Sequence, residues 1–385
     1  MRRTVFTEDH EAFRETIRNF ITNEVVPVYP EWERAGTPPR EFYNRLGELG
    51  IFGIKVPAEY GGAGVTGFKF SAVMTEECAR AGVSFGSSGV HTGIVLPYIL
   101  EFASEEQKKR WLPPFVSGEM MTAIAMTEPG AGSDLAGMST NARLAEDGTH
   151  YVLNGAKTFI TGGVVADRVL VVCRTSPSTP ENRRSGLSIL AVDTRSEGYA
   201  VGRNLEKIGL RSSDTAELSF TDVKVPAEDL LGEEGAAFAY LMHNLPQERL
   251  AIAFGSYAHA AAAVRFAQSY VQDRKVFGRS VAEFQNTKFV LADCASDIDA
   301  MQAVVDRALE AHENGELTAA DAARAKLFCT ETAAKTIDKC LQLHGGYGYM
   351  LEYPIARLYA DNRVHRIYGG TSEVMRSIIA KSMGL

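Results

Sequence analysis

The sequence predicts an α+β multidomain chain. An N-terminal helical domain (1–119) leads to a middle antiparallel β-barrel or sandwich (120–232), and a C-terminal four-helix-bundle domain (233–385) follows. Three observations predict it. Apolar residues recur at helical spacing in the first third. Short β-prone runs between turn residues fill the middle. Long Ala-rich helical stretches occupy the rest. A chain of 385 residues is too long for one small core, so two or three domains are expected.

In the first domain, Phe13, Ile17, Phe20 and Ile21 form an amphipathic stripe. Pro27 and Pro30 are expected to end that helix. Ser104 with Gln107 reads as a capping box opening a short helix that stops near Pro113. From Met120 the runs MTAIAMT, HYVLNG, KTFITG, RVLVVCRT, LSILAVD and AELSFTDVKV alternate with Gly, Asn and Asp, which suggests strands of a sandwich or barrel. TSPSTPENRRSG, 175–186, is a polar loop between two of them. Helical segments are predicted at 247–272, 281–313 and 318–343, the last capped by Thr318 with Asp321. Four Ala at 260–263 allow the close helix approach of a bundle.

Composition narrows the function. The 45% hydrophobic and 23% charged fractions are those of an ordinary globular protein. A net charge of -8 argues against a nucleic-acid partner, which needs clustered Lys and Arg. No uninterrupted run of about 18 apolar residues is present, so no membrane span is expected. The start, MRRTVFTEDHEAFRETI, lacks an apolar signal core and reads as mature and cytoplasmic. The five Cys and eight His lack metal-ligand spacing, so no metal is expected.

Gly62-Ala63-Gly64-Val65-Thr66-Gly67 matches a dinucleotide-binding pattern, but it lacks the strand before it and the parallel βαβ context; it reads as a plain loop. Two other motifs carry more. AMTEPGAGSDLAGM, 125–138, is a β-run entering a Gly-rich turn, whose backbone can approach a flat ring and offer N–H groups to its edge; residue types alone favour an ordinary turn. QLHGGYGYMLEYPIARLYADNRVHRIYGGTSEVMR, 342–376, packs Gly, aromatic and polar residues into a string that core packing does not require.

In this order and spacing, the two motifs resemble those of the acyl-CoA dehydrogenases. The resemblance covers nearly the whole chain and is nearest the long-chain and isovaleryl-type branch, whose flavour LPQERLAIA and LHGGYGYMLEYPIA carry. It implies an enzyme that binds FAD non-covalently between the β domain and the bundle. It implies cofactor contacts at Met126, Thr127, Gly132, Ser133, Phe159, Thr161, Arg274, Phe277, Gln285, Gln342, Gly345, Gly346, Thr371 and Glu373. Phe159 stands where many relatives have Trp. Arg274 and Phe277 match residues that reach FAD across a subunit interface, and a planar guanidinium suits pyrophosphate. Ser133, Arg249 and Gly370 match substrate contacts.

One departure concerns the catalytic base. Most of the family has Tyr-Glu-Gly-Thr-Ser, with the Glu as base; here the string is Tyr368-Gly369-Gly370-Thr371-Ser372. Gly369 has no side chain to serve, although its N–H matches a donor to the developing enolate oxygen. Glu248 occupies the position from which the isovaleryl and long-chain relatives supply their base. Alone, a helical Glu beside Arg249 reads as a solvated ion-pair member; joined to the missing Glu, it reads as a relocated base. Burial against an acyl chain is expected to raise its pKa toward neutrality.

The function so implied is α,β-dehydrogenation of an acyl-CoA thioester to the trans-2-enoyl-CoA. Glu248 removes the α-proton, flavin N5 takes the β-hydride, an electron-transferring flavoprotein accepts the electrons, and the assembly is a homotetramer. An oxygen-using acyl-CoA oxidase, a base-less flavin- or acyl-CoA-binding pseudoenzyme and a cofactor-free helical scaffold are the rivals. The Gly- and Ser-rich stretch 82–93 either widens an acyl pocket or allows close helix packing.

Overall fold

The computed structural model describes residues 3–179 and 181–385. Met1 and Arg2 of the N-terminal stretch, and Pro180 of the predicted polar loop, lie outside the described residues.

The N-terminal part contains α1 (Glu8–Phe20), α2 (Tyr29–Ala35), α3 (Arg40–Glu48), α4 (Lys69–Ala81), α5 (Ser88–Val90), α6 (Leu96–Phe102) and α7 (Glu105–Ser117). The Phe13 stripe is the buried face of α1, which continues as a π-helical turn, Ile21–Val25, before Pro27. A second π-helical turn, His91–Val95, joins α5 to α6. The Gly62–Gly67 stretch is a loop preceded by a short 3-10 turn, not a strand. Ser104 and Gln107 make the expected capping box. The helix does not stop at Pro113, however: α7 carries both Pro113 and Pro114 and runs to Ser117. Burial of Trp111, Leu112 and Phe115 offsets the lost backbone bonds.

The middle part is one eight-stranded sheet in the order β6-β7-β3-β2-β4-β5-β8, with β1 also on β4. Its strands are β1 (Thr122–Ala125), β2 (Asn141–Leu144), β3 (His150–Thr161), β4 (Arg168–Arg174), β5 (Leu187–Asp193), β6 (Tyr199–Asn204), β7 (Thr215–Pro226) and β8 (Leu230–Leu231). It is antiparallel except where β1 and β2 pair β4 in parallel, so the sheet is mixed. HYVLNG and KTFITG, which read as separate runs, are one strand bent by register shifts at Leu153/Gly155 and Lys157/Ile160. The apolar runs of β4 and β5 are buried on both faces. Val169 and Val171 enter a core within the sheet domain, whereas Leu170 and Val172 pack against Leu96, Tyr98 and Trp111. The sheet is thereby locked to the N-terminal helices.

The C-terminal part contains α8 (Ala237–Asp273), the hairpin β9 (Lys275–Val276) and β10 (Arg279–Ser280), α9 (Gln285–Glu313), α10 (Ala319–Leu343), α11 (Pro354–Asn362) and α12 (Ser372–Ser382). Thr318 caps α10 as expected. The first long helix starts ten residues earlier than predicted, because Ala237 and Leu241 are fully buried and the helix passes through Pro246. Small side chains on α8 (Ala253, Ala260, Ala263, Ala267) let α9 and α10 approach. Val5, Phe68, Ala72 and Ala79 join the same core, so α4 is packed onto the bundle. By length and composition α8 could cross a membrane, but 56% of its most apolar stretch is buried inside the protein, as for a core helix.

Candidate active site

Glu248 lies on α8 just after Pro246 and is only 9% exposed. The Tyr98 hydroxyl, from α6, donates to its Oε1 at 3.3 Å. Burial pushes the carboxyl up to about 7; the Tyr98 hydroxyl and the Arg249 guanidinium oppose that rise without cancelling it. A buried carboxyl poised near neutrality suits proton abstraction.

One helical turn further along α8, Ile252 touches the turn that carries Gly369. A Cβ at Gly369 would lie 2.4 Å from Ile252 Cδ1. Gly369 and Gly370 have φ of +63° and +96°, where a side chain is strained. Arg249, buried, donates from Nε to the Gly369 carbonyl at 3.3 Å. The fold therefore brings Glu248, Arg249 and Gly369 together from two distant parts of the chain. Beside them, a Cβ at Gly93 would meet no heavy atom within 4 Å, and the Gln247 side chain donates to the Gly93 carbonyl at 3.2 Å. The glycine at 93 thus faces open space, whereas Gly82 and Gly86 in the same stretch are close-packed.

On the sheet side, Thr127 accepts from the Thr158 amide at 2.9 Å, which ties the end of β1 to β3. Lys157 reaches back to the Met126 carbonyl at 2.9 Å and to the Glu128 carboxylate at 2.9 Å, a fully buried pair. Burial alone would raise the Glu128 carboxyl, but the Ser139 amide and the Lys157 ammonium outweigh it and hold it at about 2. The register shift after Lys157 turns Phe159 outward at φ +60°, leaving its ring 67% exposed between two buried neighbours. Thr161 ends β3, and Asp214 pins the turn beyond it, accepting from the Val164 amide at 2.7 Å. Gly132 and Ser133 sit exposed at the tip of the preceding turn.

On the bundle side, a cavity of about 490 Å³ is lined by Tyr270, Arg274, His344, Gly345, Gly346 and Tyr347, among others. The Arg274 guanidinium lies 5.5 Å over the Tyr347 ring, and nothing approaches within 4 Å of a Cβ at Gly345 or Gly346. Phe277 caps the β9–β10 hairpin at φ +51° and is 96% exposed. Gln285 and Gln342 are exposed at the ends of α9 and α10. Thr371 caps α12, accepting from the Val374 amide at 3.3 Å, and Glu373 is exposed in its first turn, paired with Arg376.

Three groups result. Glu248, Arg249, Gly369 and Gly370 share the α8 face. Met126, Thr127, Phe159 and Thr161 share the β1–β3 edge. Arg274, Gly345 and Gly346 share one cavity. Phe277, Gln285, Gln342 and Glu373 stand on the surface around them. Phe159 presents an aromatic face suited to a flat ring, and the cavity separately offers a guanidinium beside bare glycine backbone, suited to a phosphate-bearing tail. Sequence reasoning missed the supports, Tyr98, Glu128, Lys157 and Asp214. Each contacts residues remote in the chain, so no local pattern marks it.

Comparison with known proteins follows the same three-part division. Family models described as the N-terminal, middle and C-terminal domains of acyl-CoA dehydrogenase match residues 7–119, 123–223 and 235–384. The long-chain specific acyl-CoA dehydrogenase of Sus scrofa mitochondria is 43% identical, covering 99% of this chain and 88% of the relative. The crystal structure of an acyl-CoA dehydrogenase from Geobacillus kaustophilus superposes with a TM-score of 0.95 at 46% identity, covering 99% of both chains. An acyl-CoA dehydrogenase complexed with FAD, from Bacillus anthracis, superposes with a TM-score of 0.89 at 33% identity, covering 98% of this chain and 68% of that one.

Proposed function

The chain belongs to the acyl-CoA dehydrogenase family, and from that premise we propose that Glu248 is the base of its reaction. The enzyme is an FAD-dependent oxidoreductase that converts an acyl-CoA thioester to the 2-enoyl-CoA. The observation that carries the assignment of the base is a buried carboxyl at about 7, on the same face of α8 that Gly369 packs against.

FAD, when bound, supplies the two-electron acceptor for the β-hydride. The residues proposed to hold it are Met126, Thr127, Gly132, Ser133, Phe159, Thr161, Thr371 and Glu373 on one side, with Arg274, Phe277, Gln285, Gln342, Gly345 and Gly346 taking the cofactor of a neighbouring subunit. Glu248 Oε accepts the α-proton, and the Tyr98 hydroxyl fixes the orientation of that carboxylate. The Gly369 N–H donates to the thioester oxygen as negative charge builds there. Ser133, Arg249 and Gly370 complete the substrate side. Tyr98 and the Glu248 carboxyl lie away from water, which strengthens both interactions.

An electron-transferring flavoprotein is the proposed acceptor, and a homotetramer the proposed assembly. Support for the assembly comes from large apolar side chains in solvent on the C-terminal domain: Phe277, Phe289, Tyr349 and Leu351. A cytoplasmic location is part of the proposal, supported by Cys78, Cys173, Cys294, Cys329 and Cys340 all standing as free thiols.

The test is turnover of a panel of acyl-CoA thioesters with an artificial electron acceptor, by the parent enzyme and by Glu248→Gln. The variant is expected to keep its flavin and its acyl-CoA affinity and to lose at least about 10²–10⁴-fold in kcat. Near-full activity of Glu248→Gln would remove Glu248 from the mechanism.

A further inference from the structure

Lys326 stands on the inner face of α10 among Ala322, Ala323 and Cys329, and is 1% exposed. A buried ammonium is costly unless a partner compensates it. Among the described residues no carboxylate lies within ion-pair distance of Lys326, and the charged neighbour that perturbs it is another cation, Arg249. What Lys326 holds is backbone. Its Nζ donates to the Tyr368 carbonyl at 2.7 Å and also to the Gly370 carbonyl. Arg249 takes the carbonyl between them, that of Gly369.

Three successive carbonyls are thus drawn toward two cations. The Gly369 and Gly370 amides are left without an acceptor among the described residues, on a backbone held at positive φ. A turn that only had to close the chain before α12 would not need a buried charge for it, since Thr371 already caps that helix. Two cations bonded to one turn, Lys326 with no carboxylate partner among the described residues, do suit a site where negative charge appears during reaction.

Resting on the reading of the site given above, we propose that Lys326 is a positioning residue for the dehydrogenation. It clamps the Tyr368–Gly370 turn so that the Gly369 N–H is aimed at the thioester oxygen when the α-proton leaves. The proton passes from the α-carbon to Glu248, the electron pair of that C–H bond moves onto the thioester, and the clamped N–H meets the oxygen that gains charge.

The experiment uses the FAD-loaded enzyme with Lys326→Met, Lys326→Gln and Lys326→Arg. Two rates are read: turnover of an acyl-CoA, and exchange of the α-protons of a 3-thia-acyl-CoA into deuterated water, followed by NMR. Sulfur at the β position leaves no β-hydrogen to transfer, so exchange reports proton removal alone. Lys326→Met is expected to slow both rates by about 10²-fold, with the dissociation constant of the analogue changed less than about threefold. Lys326→Arg, which keeps charge and two donors, is expected to recover at least about tenfold of that loss.

A Met variant within about threefold of the parent in both rates overturns the proposal, as does a loss confined to binding or to thermal stability. If Lys326→Met does not fold, Lys326→Gln is read in its place. It keeps a donor for one of the two carbonyls and is expected to lose about tenfold; an unchanged exchange rate overturns the proposal. Glu248→Gln in the same exchange assay separates the two claims. Exchange that survives Glu248→Gln defeats the reading of the base. Exchange abolished by Glu248→Gln but untouched by Lys326→Met defeats the clamp alone.

Discussion

A carboxyl that titrates near 7 inside a folded protein has two opposed effects, and Glu248 shows both. As the proposed base it works only when ionised, so log kcat/KM is expected to rise with unit slope below about pH 7 and level off above it. As a buried group it binds its proton more tightly in the folded chain than in the unfolded one, where it titrates near its ordinary value of 4.5. Folding therefore loses stability as pH climbs from about 4.5 to about 7, and above that the full penalty stands, roughly 3 kcal/mol. Glu248→Gln should be inactive and yet more stable than the parent at about pH 8, with the advantage fading toward pH 4.5. Urea midpoints across that range would check it; a variant less stable than the parent at pH 8 contradicts it. Glu248 was legible in the sequence only jointly with the missing Glu at Gly369, since alone it looks like any solvated helical carboxylate. Lys326 and Lys157 were not legible for the same reason: nothing local distinguishes a buried lysine from an exposed one.

Periodicity and turn chemistry located most helices and strands, and the failures share a cause. A helix stop near Pro113 and a helix start at 247 are both overturned, because a proline penalty of about 3 kcal/mol is outweighed when flanking turns bury Trp111, Leu112 and Phe115, or Ala237 and Leu241. The gap between HYVLNG and KTFITG proved to be bulges within β3, which only a partner strand can reveal. That second bulge sets the angle of Phe159, and the Lys157–Glu128 pair fixes it to β1. Lys157→Met leaves Glu128 buried and unpaired, which is expected to cost about 3–5 kcal/mol. Loosening of the Met126–Ser133 turn should follow, with loss of FAD during gel filtration. A variant that keeps both its melting temperature and its flavin absorbance would show that the pair is dispensable. In the parent, Glu128 is held below its ordinary range, so its contribution is complete above about 4.5 and is lost as pH falls toward 2.

For the whole molecule, the helical–β–helical order was readable from composition shifts along the chain. The sharing of one core between α4 and the α8–α10 bundle was not, because those contacts join residues about two hundred positions apart. The proposed assembly gives Phe277 and Arg274 a role at the subunit contact. In the proposed tetramer, Phe277→Asp places a charge on the hairpin tip that meets a neighbour. A smaller species by light scattering and a lower flavin content per chain are expected; unchanged mass with full flavin would count against that arrangement. The contact of Gly369 with Ile252 reaches past the present molecule to its descent. A side chain gained at 369 meets only the far end of Ile252, whose Cδ1 can swing aside, so what opposes it is the positive φ of the turn. A lineage moving the proposed base between the Gly369 turn and α8 can therefore carry two carboxylates for a time and then discard one, whereas Glu248 lost first leaves nothing to take the proton. In the laboratory, Gly369→Glu on Glu248→Gln should regain part of the turnover, and Ile252→Ala beside it should raise that recovery; no turnover from either combination would show that the turn no longer accepts a base.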